Sequence, residues 1–289
     1  MPAARETPPT QFVSANGLRL AYVEWPGRPG SPAIICLPHL TGHKGAFTRL
    51  ASGLSPDYHV YAVDLRGRGE SDQPAEGYGF AYHAADIAAF ASAVGRERFA
   101  LIGHSFGATA AVYLASIRPK RVSALVLLDG GADPRADTLR AMQATIDQLE
   151  QVYPSVEAYL AAMRALPFHQ PWSSALEQYF REEAEAEPGS VRARASAPAI
   201  RRDLEQHAAY SLCLHFPALR CPVLFVRPGR GLLGDRGQVF SEPEAQAIVA
   251  NIPGAVRSDI AGANHYTLLL QDEPTVLPAI RAFLAASVL

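Results

Sequence analysis

Short apolar runs rich in β-branched residues alternate with longer stretches of helical period through the first half of the chain, a pattern that marks a sheet flanked by helices. Residues 11–14 and 18–25 flank Asn16-Gly17, a dipeptide suited to a tight hairpin turn, so the chain is expected to open with two antiparallel strands. The runs Ala33–Leu37, Tyr58–Val63, Phe99–Ile102 and Val122–Leu128 are separated by enough chain for crossover helices and predict parallel strands in four βα units. Within Tyr82–Val94, the residues Ile87, Phe90, Ala91 and Val94 fall at i, i+3, i+4 and i+7, one apolar stripe for packing on a sheet. From 133 to 218 no run reads as a strand. Helical stretches there are punctuated by Pro154, Pro167, Pro171, Pro188 and Pro198, which predicts an inserted helical subdomain. The acidic run Glu182–Glu187 reads as a solvated helix face. The strand pattern resumes at Pro222–Val226, followed by a helix at Glu242–Asn251, a strand at Ala255–Ile260 and a closing helix from about Glu273. The expected fold is therefore α/β, a mostly parallel central sheet with helices on both faces. Its core is formed by residues 1–132 and 219–289, and residues 133–218 are inserted between them.

Composition narrows the function. At 289 residues and 48% hydrophobic, the chain can bury a substantial core. Its 26 basic and 28 acidic side chains give a net charge of −2, with no basic field for nucleic acid and no polybasic face for anionic lipid. The expected partner is a small molecule. Cys36, Cys213 and Cys221 lack the close spacing of a metal knuckle or redox pair and do not make a disulfide framework. The first ten residues carry no apolar leader, and no apolar stretch approaches about 18 residues. A cytoplasmic location is expected.

Gly103-His104-Ser105-Phe106-Gly107 matches G-x-S-x-G, a weak signal by itself. Its context gives it weight: the strand-like FALI precedes it and the helix-forming ATAAVYLASI follows. A sharp strand-to-helix turn pushes the central hydroxyl out above the sheet, and the flanking glycines remove the Cβ atoms that would collide. Ser105 is thus the candidate nucleophile. The helix beginning beside it aims its dipole and the Phe106 N–H at any oxyanion formed there. The plainer alternative is a serine that only caps the helix.

With these motifs in view, the sequence resembles the α/β-hydrolase-fold serine hydrolases, and the resemblance extends over almost the whole chain outside the inserted helices. Val63–Pro74, VDLRGRGESDQP, resembles the family's D-x-R-G-x-G-x-S loop, in which Asp64, Arg66, Gly67, Gly69 and Ser71 would brace the backbone. GHSFG resembles the nucleophile elbow, and Gly262–Tyr266, GANHY, resembles the loop that carries the family's histidine. In such proteins the inserted helices form a cap over the active site.

A serine hydroxyl needs a general base. Of the nine histidines, His265 follows the last predicted strand, on the edge of the sheet where Ser105 also lies, and the order serine, acid, histidine is that of this fold. His104 sits in the elbow and is expected to line or pack. His39 and His43 are four apart, but Gly42 lies between them and no third ligand is near, so no metal site is expected. The resemblance places the acid most often after the strand PVLFV, where this chain has Arg227-Pro228-Gly229-Arg230-Gly231 and no carboxylate. Two candidates remain. Asp129 ends ALVLLDGG, the family's other acid position, and is preferred; Asp235 lies downstream in a glycine-rich loop. The plainer reading of Asp129 is a residue bonding turn amides. By the same resemblance the second oxyanion donor is the Thr41 N–H, in a loop where Leu40 replaces the family's usual glycine.

Tyr159, Phe168, Trp172, Tyr179, Phe180, Tyr210 and Phe216 could line an apolar pocket or pack the cap itself; one of Arg227 and Arg230 could bind a substrate carboxylate, and a solvent-facing arginine is the preferred reading. The resemblance implies a serine hydrolase that needs no cofactor and cleaves a small ester, lactone or amide through an acyl-enzyme. Carbon–carbon bond hydrolysis by the same triad, or a ligand-binding receptor on a hydrolase scaffold, are the alternatives.

Overall fold

A computed structural model describes residues 7–133, 135–232, 236–271 and 274–287. Asn16 and Gly17 both take positive φ, 50° and 77°, which closes the tight turn between β1 (Gln11–Ala15) and β2 (Leu18–Trp25). The next strands are β3 (Ala33–Leu37), β4 (His59–Val63), β5 (Phe99–His104) and β6 (Val122–Leu128). The helices α1 (Thr48–Leu54), α2 (Phe80–Ala93) and α3 (Phe106–Ile117) belong to this half, and after β6 the segment that leads to β9 opens with α4 (Ala136–Leu149). The chain continues through α5 (Val156–Ala165), α6 (Ser174–Glu183), β7 (Ala184–Glu187), β8 (Ser190–Ala193) and α7 (Ala197–Ala209). It returns to the sheet with β9 (Val223–Pro228), α8 (Glu242–Asn251) and β10 (Val256–Ile260), and closes with α9 (Thr267–Leu270) and α10 (Val276–Ser287).

The main sheet has eight strands in the order β1-β2-β4-β3-β5-β6-β9-β10. It is antiparallel across β1, β2 and β4 and parallel from β4 through β10. Side chains alternate across it because successive Cβ atoms point to opposite faces. Ile35, Leu101, Leu127 and Phe225 pack with Phe90, Val112 and Ile248 on one face. Ile34, Ile102, Val126 and Val226 pack with Leu50, Ile280 and Leu284 on the other. The two-sided burial explains why β3, β5 and β6 read as continuous apolar runs.

Two expectations change between β6 and β9. β7 and β8 form an antiparallel hairpin, where no strand was expected. Its strands are four residues each, too short for an alternation to stand out. The acidic run is not one solvated helix face either: Glu182 and Glu183 end α6, Glu185 and Glu187 lie in β7, and Glu183 is buried. Glu273, the expected start of the last helix, lies outside the described residues. The helix is described from Val276.

Candidate active site

Parallel strands bring the C-terminal ends of β5, β6, β9 and β10 to one edge. His104 pairs with Leu128 across β5 and β6, so the next residues of the two strands, Ser105 and Asp129, emerge side by side. Ser105 sits at φ 54°, ψ −117°, a left-handed conformation costly for a residue with a Cβ. The packing around it enforces this. A Cβ at Gly107 would strike the carbonyls of Leu37 and Pro38, and one at Gly130 would strike the backbone of Ser105 itself. The Ser105 N–H donates to the Leu128 carbonyl at 2.9 Å. Phe106 opens α3, so its N–H has no partner within the helix.

Asp129 also has positive φ, 45°. Its N–H donates to the Val226 carbonyl at 2.9 Å, which turns the side chain over the end of β9. Its Oδ2 accepts from His265 Nδ1 at 2.7 Å, with Asp129 1% and His265 8% exposed. Among the described residues Asp129 Oδ1 has no partner. His265 reaches Asp129 because the loop after β10 crosses the end of β9: Gly229 donates to Ile260 at 2.8 Å and Arg230 to Ala263 at 2.9 Å. The crossing is tight enough that a Cβ on Gly229 would lie 2.7 Å from Ala261 Cα. The slot after β9 is thus occupied by this crossing. Arg227 is spent there, donating to the Phe240 carbonyl at 3.1 Å and pairing with Glu242 at 3.4 Å, and Arg230 is exposed. Asp235 lies outside the described residues.

Thr41 lies in the turn after β3, closed by the Gly42 N–H donating to the His39 carbonyl at 3.0 Å. Arg68, fully buried, clamps that loop by donating through Nε to the Leu40 carbonyl at 2.9 Å. The same guanidinium lies 5.3 Å from the Phe106 ring centre and 2.5 Å from Asp203 of α7. Asp203 also accepts from His83 at 3.0 Å and from the Gly79 N–H at 2.6 Å. In the 64–71 loop Asp64 pairs with Lys44 at 2.9 Å, Arg66 with Asp86 at 2.6 Å, and Ser71 donates to the Asp64 carbonyl at 2.7 Å.

His104, His39 and His43 are all engaged. His104 Nε2 donates to the His265 carbonyl at 2.9 Å and so holds the histidine loop. His39 Nε2 meets the Tyr179 hydroxyl at 3.2 Å. His43 accepts the Gly45 N–H through Nδ1 at 3.1 Å, which leaves Nε2–H to donate to the Tyr179 carbonyl at 3.1 Å while the rings stack. Burial pushes His39 and His104 well below the usual histidine range, so both remain neutral.

A cavity of about 40 Å³ lies between this edge and the β6–β9 segment. His39, Thr41 and Tyr266 line it from the sheet side; Tyr159, Tyr179 and Glu183 are among those lining it from the segment. Phe168 and Phe180 line it too, whereas Phe216 is part of the core, Trp172 stacks on Phe180 and Tyr210 is exposed. Sequence reasoning missed Glu183, Arg68 and Asn264. Asn264 Oδ1 accepts the N–H groups of Tyr266 and Thr267 at 3.0 and 2.9 Å, and its Nδ2 donates to the Phe168 carbonyl at 3.1 Å. An asparagine one residue before His265 was the available signal, since Asx side chains bond backbone two or three residues on. Among the described residues no helix is long and apolar enough to cross a membrane.

The family of the alpha/beta hydrolase fold matches residues 32–184. N-formylmaleamate deformylase of Pseudomonas putida is 31% identical over 227 residues, 76% of this chain and 78% of that protein. 2-(Acetamidomethylene)succinate hydrolase of Mesorhizobium japonicum is 33% identical over 45% of this chain and about half, 48%, of its own length. A crystal structure of E-2-(acetamidomethylene)succinate hydrolase superimposes with a TM-score of 0.86 at 25% identity, covering 96% of this chain and 98% of that one.

Proposed function

The chain belongs to the alpha/beta hydrolase fold family and is a hydrolase, and from that premise we propose that it is a serine hydrolase cleaving the carbonyl bond of a small ester, lactone or amide through an acyl-enzyme. The observation that carries this reading is the 2.7 Å bond from His265 Nδ1 to the buried Asp129 carboxylate beside the elbow serine. The carboxylate fixes the tautomer, so that Nε2 is the basic nitrogen, and it stabilises the imidazolium once formed. Ser105 Oγ attacks the carbonyl carbon while His265 Nε2 takes its proton; the backbone N–H groups of Phe106 and Thr41 hold the oxyanion. His265 then protonates the departing alcohol or amine, and water, deprotonated by the same nitrogen, releases the acid. The names of the relatives, a deformylase and an acetamidomethylene succinate hydrolase, favour an amide carbon–nitrogen bond. Residues 133–218 act as a cap whose aromatic side chains shape the pocket and shed water.

Ser105→Ala should remain folded, lose at least about 10³-fold in kcat, and no longer be labelled by a fluorophosphonate. Near-wild-type turnover by this variant, or tight small-molecule binding without acylation of the parent protein, would overturn the reading.

A further inference from the structure

Glu183 is a buried ionisable group for which the proposed mechanism has no use, yet it faces the cavity. It closes α6 with 6% of its surface exposed, and the Tyr159 hydroxyl of α5 donates to its Oε2 at 2.6 Å. Among the described residues Oε1 has no hydrogen-bond partner. The lining offers that oxygen no cation: no described lysine or arginine borders the cavity. Burial holds His39 well below its usual range and His169 down to about 4, so both rings are neutral. A buried carboxyl with an open acceptor and nothing positive opposite it is costly until a ligand supplies a donor.

We propose that Glu183 sets specificity, its free oxygen accepting a hydrogen bond from an ammonium, amide N–H or hydroxyl group at the end of the substrate, while the cavity rejects a carboxylate at that place. The inference rests on the serine-hydrolase reading only in taking the cavity as the substrate pocket. Burial raises Glu183 to about 7; a bound donor draws it to the ionised form, whereas a carboxylate ligand would share a dry space with a second carboxyl, which like-charge repulsion disfavours. An ammonium fits best, because the aromatic residues Tyr179, Phe180 and Tyr266 also line the space. At about 40 Å³ the cavity has room for roughly three water-sized groups, a short polar tail rather than a long chain.

Three ligands with a three-carbon skeleton test this: n-propylammonium, n-propanol and propionate, each used as an inhibitor of p-nitrophenyl acetate hydrolysis at about pH 8 and as a stabiliser in thermal melts. Propylammonium should inhibit at least about tenfold more tightly than propionate, with propanol between, as a hydrogen bond to a charged group requires. In Glu183→Gln the two ions should come within about threefold of each other. Propionate binding as tightly as propylammonium would overturn the proposal, as would an unchanged preference in the glutamine variant. If that variant does not fold, the wild-type order decides alone. Absent p-nitrophenyl acetate turnover would instead count against the serine mechanism, and the melts would still rank the three ligands.

Discussion

Replacing Asp129 by asparagine removes one charge and almost nothing else. Asparagine has the same volume and tolerates the left-handed region, so the φ of 45° at this position adds no new strain. What the proposed mechanism would lose is the attraction between a carboxylate 1% exposed and the imidazolium it forms on His265. Unit charges about 4 Å apart at an effective dielectric of about 20 interact by about 4 kcal/mol. At about 1.4 kcal/mol per decade this is roughly a thousandfold in rate. A tautomer turned the wrong way by the asparagine amide acts in the same direction, so kcat should fall by about 10²- to 10⁴-fold. The assay is p-nitrophenyl acetate turnover beside a thermal melt of the same preparation, with Asp235→Asn as the comparison. Asp129→Asn should melt close to wild type and be nearly inactive, and Asp235→Asn should be nearly silent. Activity within about threefold of wild type for Asp129→Asn, with a large loss for Asp235→Asn, would refute the reasoning and move the acid to the glycine-rich loop.

Asp203→Asn should lower the melting temperature by roughly 6–20 °C, because it leaves the fully buried Arg68 guanidinium unpaired, a loss of about 3–5 kcal/mol; a change under about 2 °C would show the pair to be dispensable. Burial opposes ionisation of Asp203, but His83 and Arg68 outweigh it and hold the carboxyl below its usual range. The stability it confers is therefore present above the unfolded pKa of about 4 and lost as pH falls below it, and wild type should show an acid limb that the asparagine variant lacks. Glu183 has the opposite sign: its folded pKa is raised to about 7, so the folded chain holds that proton more tightly, and stability is lost as pH rises from about 4.5 through 7. Glu183→Gln should flatten the melting-temperature profile between about pH 5 and pH 8, and an unaltered slope would mean that the carboxyl is not held protonated.

The sheet was legible in the chain because its determinants are local. Asn16-Gly17 can close only a tight turn, and the runs at β3 and β6 are apolar without a break because both of their faces are covered. The Gly103–Gly107 elbow is likewise a sequence of five residues whose small members are demanded by neighbouring backbone. Long-range arrangement was not legible in that way. Whether Asp129 meets His265 depends on the β10 loop crossing the end of β9, a contact between residues 136 apart that no periodicity records. Glu183 looked like one more member of a solvated acidic run until α5 and the neighbouring hairpin closed over it, since burial of a single side chain is set by what packs above it. Nothing in the glycine-rich loop singles out Arg68; only the approach of α7 and of the Leu40 carbonyl makes it a buried clamp. Local propensity and alternation along the chain thus determined the elements and the elbow. Tertiary packing alone decided which charges were removed from water and what each of them faced, because desolvation and pairing are properties of space rather than of sequence.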